Sequence, residues 1–569
     1  MRICVLQFSY EGPDRGRGDL ENGISRFEMA SSQHTFERRF ICEESFKEKI
    51  DSVLREGFDF YINLLWSTTE DPGTGMQASQ YFESLDVPSA GFCSRSRFWI
   101  KDSFYKHARQ RGAPRVPGML QFPLSVKPSN GYISEPIYEN YVCHDERELR
   151  DVLCQLDKQL SSSGGRSIDD ARGPTASAEL HDLIDRYSDD IVIQEFIDGD
   201  EYTVTVIELG DSAVALNPCV KTLSGKERFH TSGAGSDLKP RKELVNREDN
   251  PILFQSLQHA ALEAFEAGMF RGSHMGCEVN LRVNGKTGVF VTIVNSQAMT
   301  FLQTGNDLQD LPIIESLPGG LPAAVNVFIA NYCARHDVRH KECIKVATAY
   351  DEVAPEYDDQ GQTNSQDKEN FRHLVENYDF QGTVLDLACG TGFFGRLLTE
   401  NGFRNAERAG SLIGFDLSPG MVDLCRKTGV YDQVDVSGLH TCLLQYSRHG
   451  EVDHVVSFGA LHFLSPEEFA SFFVQCFIIA NKSITVSVDE IPDSYNEHLH
   501  EKGLSHMHST NHLGNMEAFG EPQGWKLVSR QRHYSWTSPT TGDGIYSTFF
   551  RFERVGRGNV LISRAPEKN

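Results

Sequence analysis

The sequence predicts an α/β protein in two halves, and three observations carry that expectation. The stretch Val384-Leu385-Asp386-Leu387-Ala388-Cys389-Gly390-Thr391-Gly392-Phe393-Phe394-Gly395-Arg396-Leu397-Leu398 runs from apolar residues to an acid, a glycine-rich turn and an amphipathic run. Such a series reads as strand, loop and helix. The N-terminal stretch alternates in the same way, with apolar runs at 3–8 and 58–65 and helical periodicity from Met76 to Leu85. At 569 residues the chain should hold two or three domains, each with its own core.

Taken in order, Ile3 to Phe8 makes the first buried strand, followed by Gly12, Gly16 and Gly18. A second strand covers Phe58 to Leu65, then the helix to Leu85, then Val87-Pro88-Ser89-Ala90-Gly91-Phe92. Strand–helix alternation of this kind implies a small parallel sheet. The first strand is too short for a secretory signal, and no apolar run is long enough to span a bilayer. With 39% apolar and 24% charged residues the composition is that of a soluble globular protein. The net charge of -25 argues against nucleic acid or an anionic membrane as partner. Thirteen scattered cysteines form no C-x-x-C pair. Free thiols in a reducing compartment, the cytoplasm, are the reading.

Next come Lys101-Asp102, Lys106, Gly112-Ala113-Pro114-Arg115-Val116-Pro117 and Phe122-Pro123-Leu124-Ser125-Val126-Lys127-Pro128. Val192-Ile193-Gln194-Glu195-Phe196-Ile197-Asp198-Gly199-Asp200-Glu201-Tyr202-Thr203-Val204 follows. The order and spacing of these segments resemble the ATP-grasp ligases, most closely the D-alanine–D-alanine ligase branch, over roughly residues 1–335. The resemblance implies that Lys101 and Lys127 contact ATP phosphates, with Ser129-Asn130-Gly131 opening a loop over them. It places Gln194, Glu195 and Phe196 at the adenine hinge and Glu201 at the ribose. A fixed lysine charge suits a polyphosphate. Ser161 to Pro174 reads as an insertion without chemistry.

The family's magnesium ligands are altered here. Strand-to-strand matching gives Glu278-Val279-Asn280-Leu281-Arg282-Val283 and Thr292-Ile293-Val294-Asn295. The family's arginine falls on Glu278, its first acid on Asn280 and its second acid on Ile293, while Asn295 matches. An isoleucine cannot bind magnesium. Either Glu278 compensates, giving a ligand set of Glu278, Asn280 and Asn295 with Glu278 catalytically important, or this half does not turn nucleotide over.

The second half begins past a polar join at His336 to Lys341. Ala349-Tyr350-Asp351-Glu352-Val353-Ala354-Pro355-Glu356-Tyr357-Asp358 precedes the glycine turn. Gly390, Gly392 and Gly395 form G-x-G-x-x-G, a pattern that nicotinamide enzymes share. Leu412-Ile413-Gly414-Phe415-Asp416-Leu417-Ser418 is a second strand ending in an acid, about twenty residues past the last glycine. A carboxylate there can accept both hydroxyls of a ribose. Asp453-His454-Val455-Val456-Ser457-Phe458-Gly459-Ala460-Leu461-His462-Phe463-Leu464 follows.

With Asp386 just before the glycines, this ordered set resembles the class I S-adenosylmethionine (SAM)-dependent methyltransferases over roughly residues 342–560. The resemblance implies that Asp386 faces the methionine ammonium, that Gly390, Gly392 and Gly395 line the ligand, and that Asp416 holds the ribose. It implies that Tyr350 and Tyr357 cover SAM, that Met421 flanks adenine and that Asp435 is a candidate for the adenine amino group. His462 is either a general base or a lining residue. His498, His500, His506, His508 and His512 match no standard metal spacing and read as part of a substrate cap. The segments at 524–527 and 546–552 supply closing antiparallel strands.

Together the resemblances imply an α/β chain with an α/β subdomain at 1–120, an ATP-grasp nucleotide-binding domain at 121–335 and a Rossmann-like methyltransferase domain at 342–560. They imply a bifunctional cytoplasmic enzyme: an ATP-dependent carboxylate–amine ligase joined to a SAM-dependent methyltransferase. Its substrate would be a small amino-acid-derived or specialised metabolite. The alternative is a methyltransferase with a non-catalytic N-terminal module, which the altered magnesium positions favour.

Overall fold

The computed structural model describes residues 1–8, 33–42, 45–65, 72–94, 101–118, 121–128, 142–153, 191–222, 241–295, 303–304, 307–308, 310–358, 365–403, 410–443, 446, 452–538, 541–556 and 560–564. The chain divides into two compact units. Each is α/β.

Among the described residues the N-terminal unit holds three larger sheets and a two-stranded one, Gln303–Thr304 with Asp307–Leu308. The first is parallel, in the order Thr35–Ile41, Arg2–Phe8, Phe60–Leu64, Ser89–Gly91. Its core joins Cys4, Leu6, Ile50, Tyr61 and Phe82, so the apolar runs read from the sequence are its interior. The second sheet is antiparallel, with Leu124–Pro128 between Val142–Cys143 and Ile191–Glu195. The third runs Arg241–Leu244, Cys219–Thr222, Asp200–Leu209, Gly276–Asn284, Gly288–Asn295, antiparallel throughout. Its register sets Asn280 opposite Ile293 and Glu278 opposite Asn295.

The C-terminal unit is built on one sheet, in the order Gln433–Val436, Ser411–Asp416, Thr383–Leu387, Val452–Ser457, Ala480–Glu490, Gly544–Arg554, Trp525–Thr537. The first five strands are parallel and the last two antiparallel. Central parallel strands are covered on both faces, which explains the unbroken apolar reading of Val384-Leu385 and Val455-Val456. Chain order reverses between Thr383–Leu387 and Val452–Ser457. Ligands of such sheets bind at the carboxyl ends of the strands beside that reversal.

The helix Pro466–Ile479 starts at a capping box of Ser465 and Glu468 and is buried along nearly its whole length. Phe469, Phe472, Phe473 and Phe477 join Trp525, Phe550 and Phe552 in one core. Truncating one of these phenylalanines to alanine costs about 3–5 kcal/mol. Gly320–Arg335 packs against Pro466–Ile479 and is likewise buried from Leu321 through Asn331 except at Pro322. Asn331 bonds the carbonyl of Glu208 at 2.7 Å and the amide of Gly210 at 2.9 Å, and Arg335 pairs with Glu208 at 3.0 Å. The units therefore divide near residue 312, not at the polar join near 336, and residues 208–214 go with the C-terminal unit.

Candidate functional site

The glycine turn is shaped by left-handed backbone. Ala388, Gly390 and Gly392 have φ of 62°, 53° and 83°. The alanine is the costly one, and such backbone clusters at ligand sites. A Cβ on Gly390 would meet nothing within 4 Å, so that side of the turn is open to an approaching group. A Cβ on Gly395 would come within 2.4 Å of the Tyr431 ring, so this glycine serves packing.

Asp386 ends its strand almost wholly buried, 2% exposed. The Tyr431 hydroxyl donates to it at 2.5 Å and itself receives the Gly395 amide at 3.2 Å. Burial pushes the Asp386 carboxyl up to about 7, against the Tyr431 bond, with the charge of Asp416 adding to the rise. Asp416 ends the neighbouring parallel strand. Its two oxygens accept from the amides of Gly390 and Ser418, each at 2.9 Å. Burial raises its carboxyl too, although those amides oppose the shift.

Residues 340–358 close over this turn. Asp351 accepts from the Ser418 hydroxyl at 2.5 Å and the Gly420 amide at 2.7 Å, at the start of the helix Pro419–Lys427. Asp358 accepts from the Thr391 hydroxyl at 2.7 Å and pairs with Arg396 at 3.0 Å. The same segment carries Tyr350 and Tyr357, with ring centroids 6.4 Å apart. Burial raises the Tyr350 hydroxyl well above its ordinary range, with smaller contributions from Tyr357, Asp416 and Asp489.

His462 follows the Val452–Ser457 strand and is 5% exposed. Its Nδ1 meets Asp489 at 2.7 Å, and the Ser547 hydroxyl donates to the other oxygen of Asp489. A carboxylate on Nδ1 fixes the tautomer and leaves Nε2 to exchange a proton. The result is a His–Asp pair next to the strand ends that carry the two acids.

In the N-terminal unit, Gln194 is 2% exposed and its side-chain oxygen has no partner among the described residues. The amides of Glu195 and Phe196 donate to the carbonyls of Gly118 and Pro123 at 2.6 and 2.7 Å. Glu201 pairs with Lys221 at 2.8 Å and Arg282 at 3.4 Å, and Arg282 lies over the Phe196 ring at 5.6 Å. Glu278 pairs with Lys242 at 3.0 Å and accepts from the Asn295 amide at 3.3 Å. Asn280 accepts from Lys221 at 2.7 Å and Thr203 at 3.0 Å. The side chains of Lys101 and Lys127, and residues 129–131 and 161–174, lie outside the described residues.

Residues 384–482 match a family model described as a methyltransferase domain. The C-terminal unit thus carries a methyltransferase domain. Among solved structures, magnesium protoporphyrin IX methyltransferase from Synechocystis PCC 6803, with bound SAH, is 16% identical. The match covers 33% of this chain and 82% of that one, with TM-score 0.26. An L-amino acid ligase from Bacillus licheniformis is 14% identical over 57% of this chain and 74% of its own, TM-score 0.36. The D-alanine–D-alanine ligase from Coxiella burnetii is 14% identical over 61% of this chain and 99% of its own, TM-score 0.35. No curated protein sequence matches the chain.

Met421 is buried in the first turn of its helix, where its amide is capped by the Ser418 hydroxyl. Asp435 lies on the next strand out, paired with Arg426 at 3.6 Å and bonded to Gln433 at 2.6 Å. The five clustered histidines do not converge. His498 faces Asp543, His500 faces Ser505, and His512 bonds the Leu464 carbonyl while stacking on Phe469. Among the described residues no three His, Cys, Asp or Glu side chains gather to hold a metal ion. Sequence reading missed Tyr431, Asp351, Asp358 and Asp489. For Asp489 a signal existed: an apolar strand ending in two acids, as at Asp386 and Asp416.

Proposed function

We propose that the C-terminal half transfers a methyl group from SAM to a small molecule, and that the N-terminal half is a nucleotide-binding module working on the same compound. One observation carries the first part. An open glycine turn stands at the ends of two adjacent parallel strands, one ending in the buried Asp386 and the other in the half-buried Asp416. Asp386 is the partner for an ammonium and Asp416 the partner for ribose hydroxyls, which would take over from the amides of Gly390 and Ser418. Tyr350 and Tyr357, latched through Asp351 and Asp358, shield the site from water.

When bound, SAM supplies a sulfonium-activated methyl carbon. Transfer is an in-line displacement, so the protein contributes chiefly alignment. His462 receives the acceptor's proton at Nε2, and Asp489 holds the Nδ1 proton and balances the imidazolium charge. That arrangement suits a protic acceptor: a hydroxyl, an amine or a carboxylic acid. An amino-acid-derived or specialised metabolite in the cytoplasm fits this chemistry.

For the N-terminal half the reading is an ATP-grasp module, with the unpartnered oxygen of Gln194 as an acceptor for the adenine amino group. Ligation of a carboxylate to an amine with magnesium and ATP would make the two halves consecutive enzymes. The lysines on Glu278 and Asn280 favour a second reading, a non-catalytic nucleotide module. Incubating the full chain with ATP, SAM and an amino-acid mixture, then quantifying ADP, SAH and products by mass spectrometry, separates them. ADP and SAH rising together support the ligase reading; SAH alone supports the second. No SAH with any acceptor tried would count against methyl transfer itself.

A further inference from the structure

The larger antiparallel sheet of the N-terminal unit gathers Glu201, Lys221, Lys242, Glu278, Asn280 and Asn295. Of these, Glu278, Asn280 and Asn295 are the donors a magnesium ion would have to use, and Ile293, facing Asn280 across the strands, offers no oxygen. Magnesium requires near-octahedral oxygen ligands, normally with at least one carboxylate. Here the side-chain oxygens of Glu278 and Asn280 are taken. One oxygen of Glu278 holds the Lys242 ammonium at 3.0 Å and the other the Asn295 amide at 3.3 Å. The Asn280 oxygen holds the Lys221 ammonium at 2.7 Å and the Thr203 hydroxyl at 3.0 Å. Lys221 also holds Glu201 at 2.8 Å.

The Lys242 ammonium is held in its charged form. Burial pushes Lys242 down, but Glu278 outweighs it and raises the group, with Asp310 adding to the rise. Burial pushes Glu278 up, but Lys242 and Lys221 outweigh it and hold the carboxyl below its ordinary range. A divalent ion brought to these donors would meet two like charges at contact distance and displace the Lys242–Glu278 ion pair and the Lys221–Asn280 bond. The residues do not fit magnesium.

We infer that the N-terminal half binds a nucleoside polyphosphate without a divalent cation, the ammonium groups of Lys221 and Lys242 standing where the metal would be. This rests on the reading of that half as nucleotide-binding. An ammonium is a point charge that serves a phosphate oxygen as well as a carboxylate. Glu278 and Glu201 hold the two lysines in place, and the Gln194 oxygen, without a partner among the described residues, provides for the base.

The test is ATP binding to the full chain by calorimetry, with magnesium and with EDTA. The two affinities should agree within about threefold. The double variant Lys242→Met with Glu278→Met removes both members of the pair and leaves no buried charge behind. It should bind ATP at least about tenfold more weakly and keep the parent's SAM affinity. The double variant Asn280→Asp with Ile293→Glu should make ATP binding magnesium-dependent. If the parent binds ATP about tenfold or more weakly in EDTA, the inference fails and the nucleotide reading stands. If ATP binds under neither condition, both fail. Unchanged ATP affinity in the Lys242/Glu278 variant also overturns the inference.

Discussion

Asp386→Asn should stabilise the C-terminal unit and destroy its SAM affinity, and the pH dependence of each effect is fixed by one shift. Burial moves the Asp386 carboxyl from its ordinary 3.8 to about 7. Below its ordinary value, folded and unfolded chains are both protonated there, and no cost arises. Between about 4 and 7 the unfolded chain ionises while the folded one stays protonated, so stability falls as pH rises. Above about 7 the cost is complete. A shift of about three units is worth about 4 kcal/mol. Asparagine, neutral at every pH, escapes this cost. The thermal transition that SAM raises should therefore move upward in the variant at pH 8 and far less at pH 5. SAM binding runs the other way, because an ammonium favours the ionised carboxylate. At pH 6 the parent should release a proton on binding, read by calorimetry in two buffers of different ionisation enthalpy. The variant should lose at least about 2 kcal/mol of affinity. A variant with unchanged SAM affinity, or no stability gain at pH 8 over pH 5, would show that Asp386 neither carries this burial cost nor meets the ammonium.

Tyr431→Phe removes the bond that holds Asp386 ionised, so its carboxyl rises further. SAM affinity should drop several-fold near neutral pH and recover at higher pH, which a series of dissociation constants against pH would show. Asp489→Asn should lower kcat by about 10²-fold or more while leaving SAM affinity within about twofold, because it acts through His462. An unchanged kcat would leave His462 a lining residue. Burial holds His454 and His512 neutral down to about 4. Each contributes stability above its ordinary 6.5 that is lost as pH falls toward 4, about 3 kcal/mol apiece. Asp386 gains in the opposite direction over part of that range. Acid titration of His512→Gln should accordingly be flatter than that of the parent. A fragment starting at residue 336 loses the buried helix Gly320–Arg335 and should be molten or insoluble. A cooperative SAM-binding fragment from 336 would show that this helix is dispensable.

What the sequence revealed of the site is what lies close in the chain. Asp386, the glycine turn and Asp416 stand at fixed spacing within a strand–loop–helix–strand series, and local pattern was enough to find them. Their supports are remote. Asp351 reaches Ser418 across 67 positions, Tyr431 reaches Asp386 across 45, Asp358 reaches Thr391 across 33 and Asp489 reaches His462 across 27. No period or spacing encodes such pairs. Lys242, 36 residues before Glu278, was invisible for the same reason, so the question whether Glu278 binds a metal stayed open in the sequence. The polar join near 336 is the boundary the sequence suggests, whereas the compact units divide near residue 312. Gly320–Arg335 is apolar on every face and carries no amphipathic stripe to say which half it belongs to.

In the proposed function, Asp416 and the Gly390 turn form a SAM site and not a dinucleotide site. Equilibrium titration of the full chain with SAM and with NADH, repeated on Asp416→Ala, tests it most directly. SAM should bind the parent, NADH should neither bind nor compete, and Asp416→Ala should weaken SAM at least about tenfold. Binding of NADH in place of SAM, or a SAM affinity indifferent to Asp416→Ala, would contradict it.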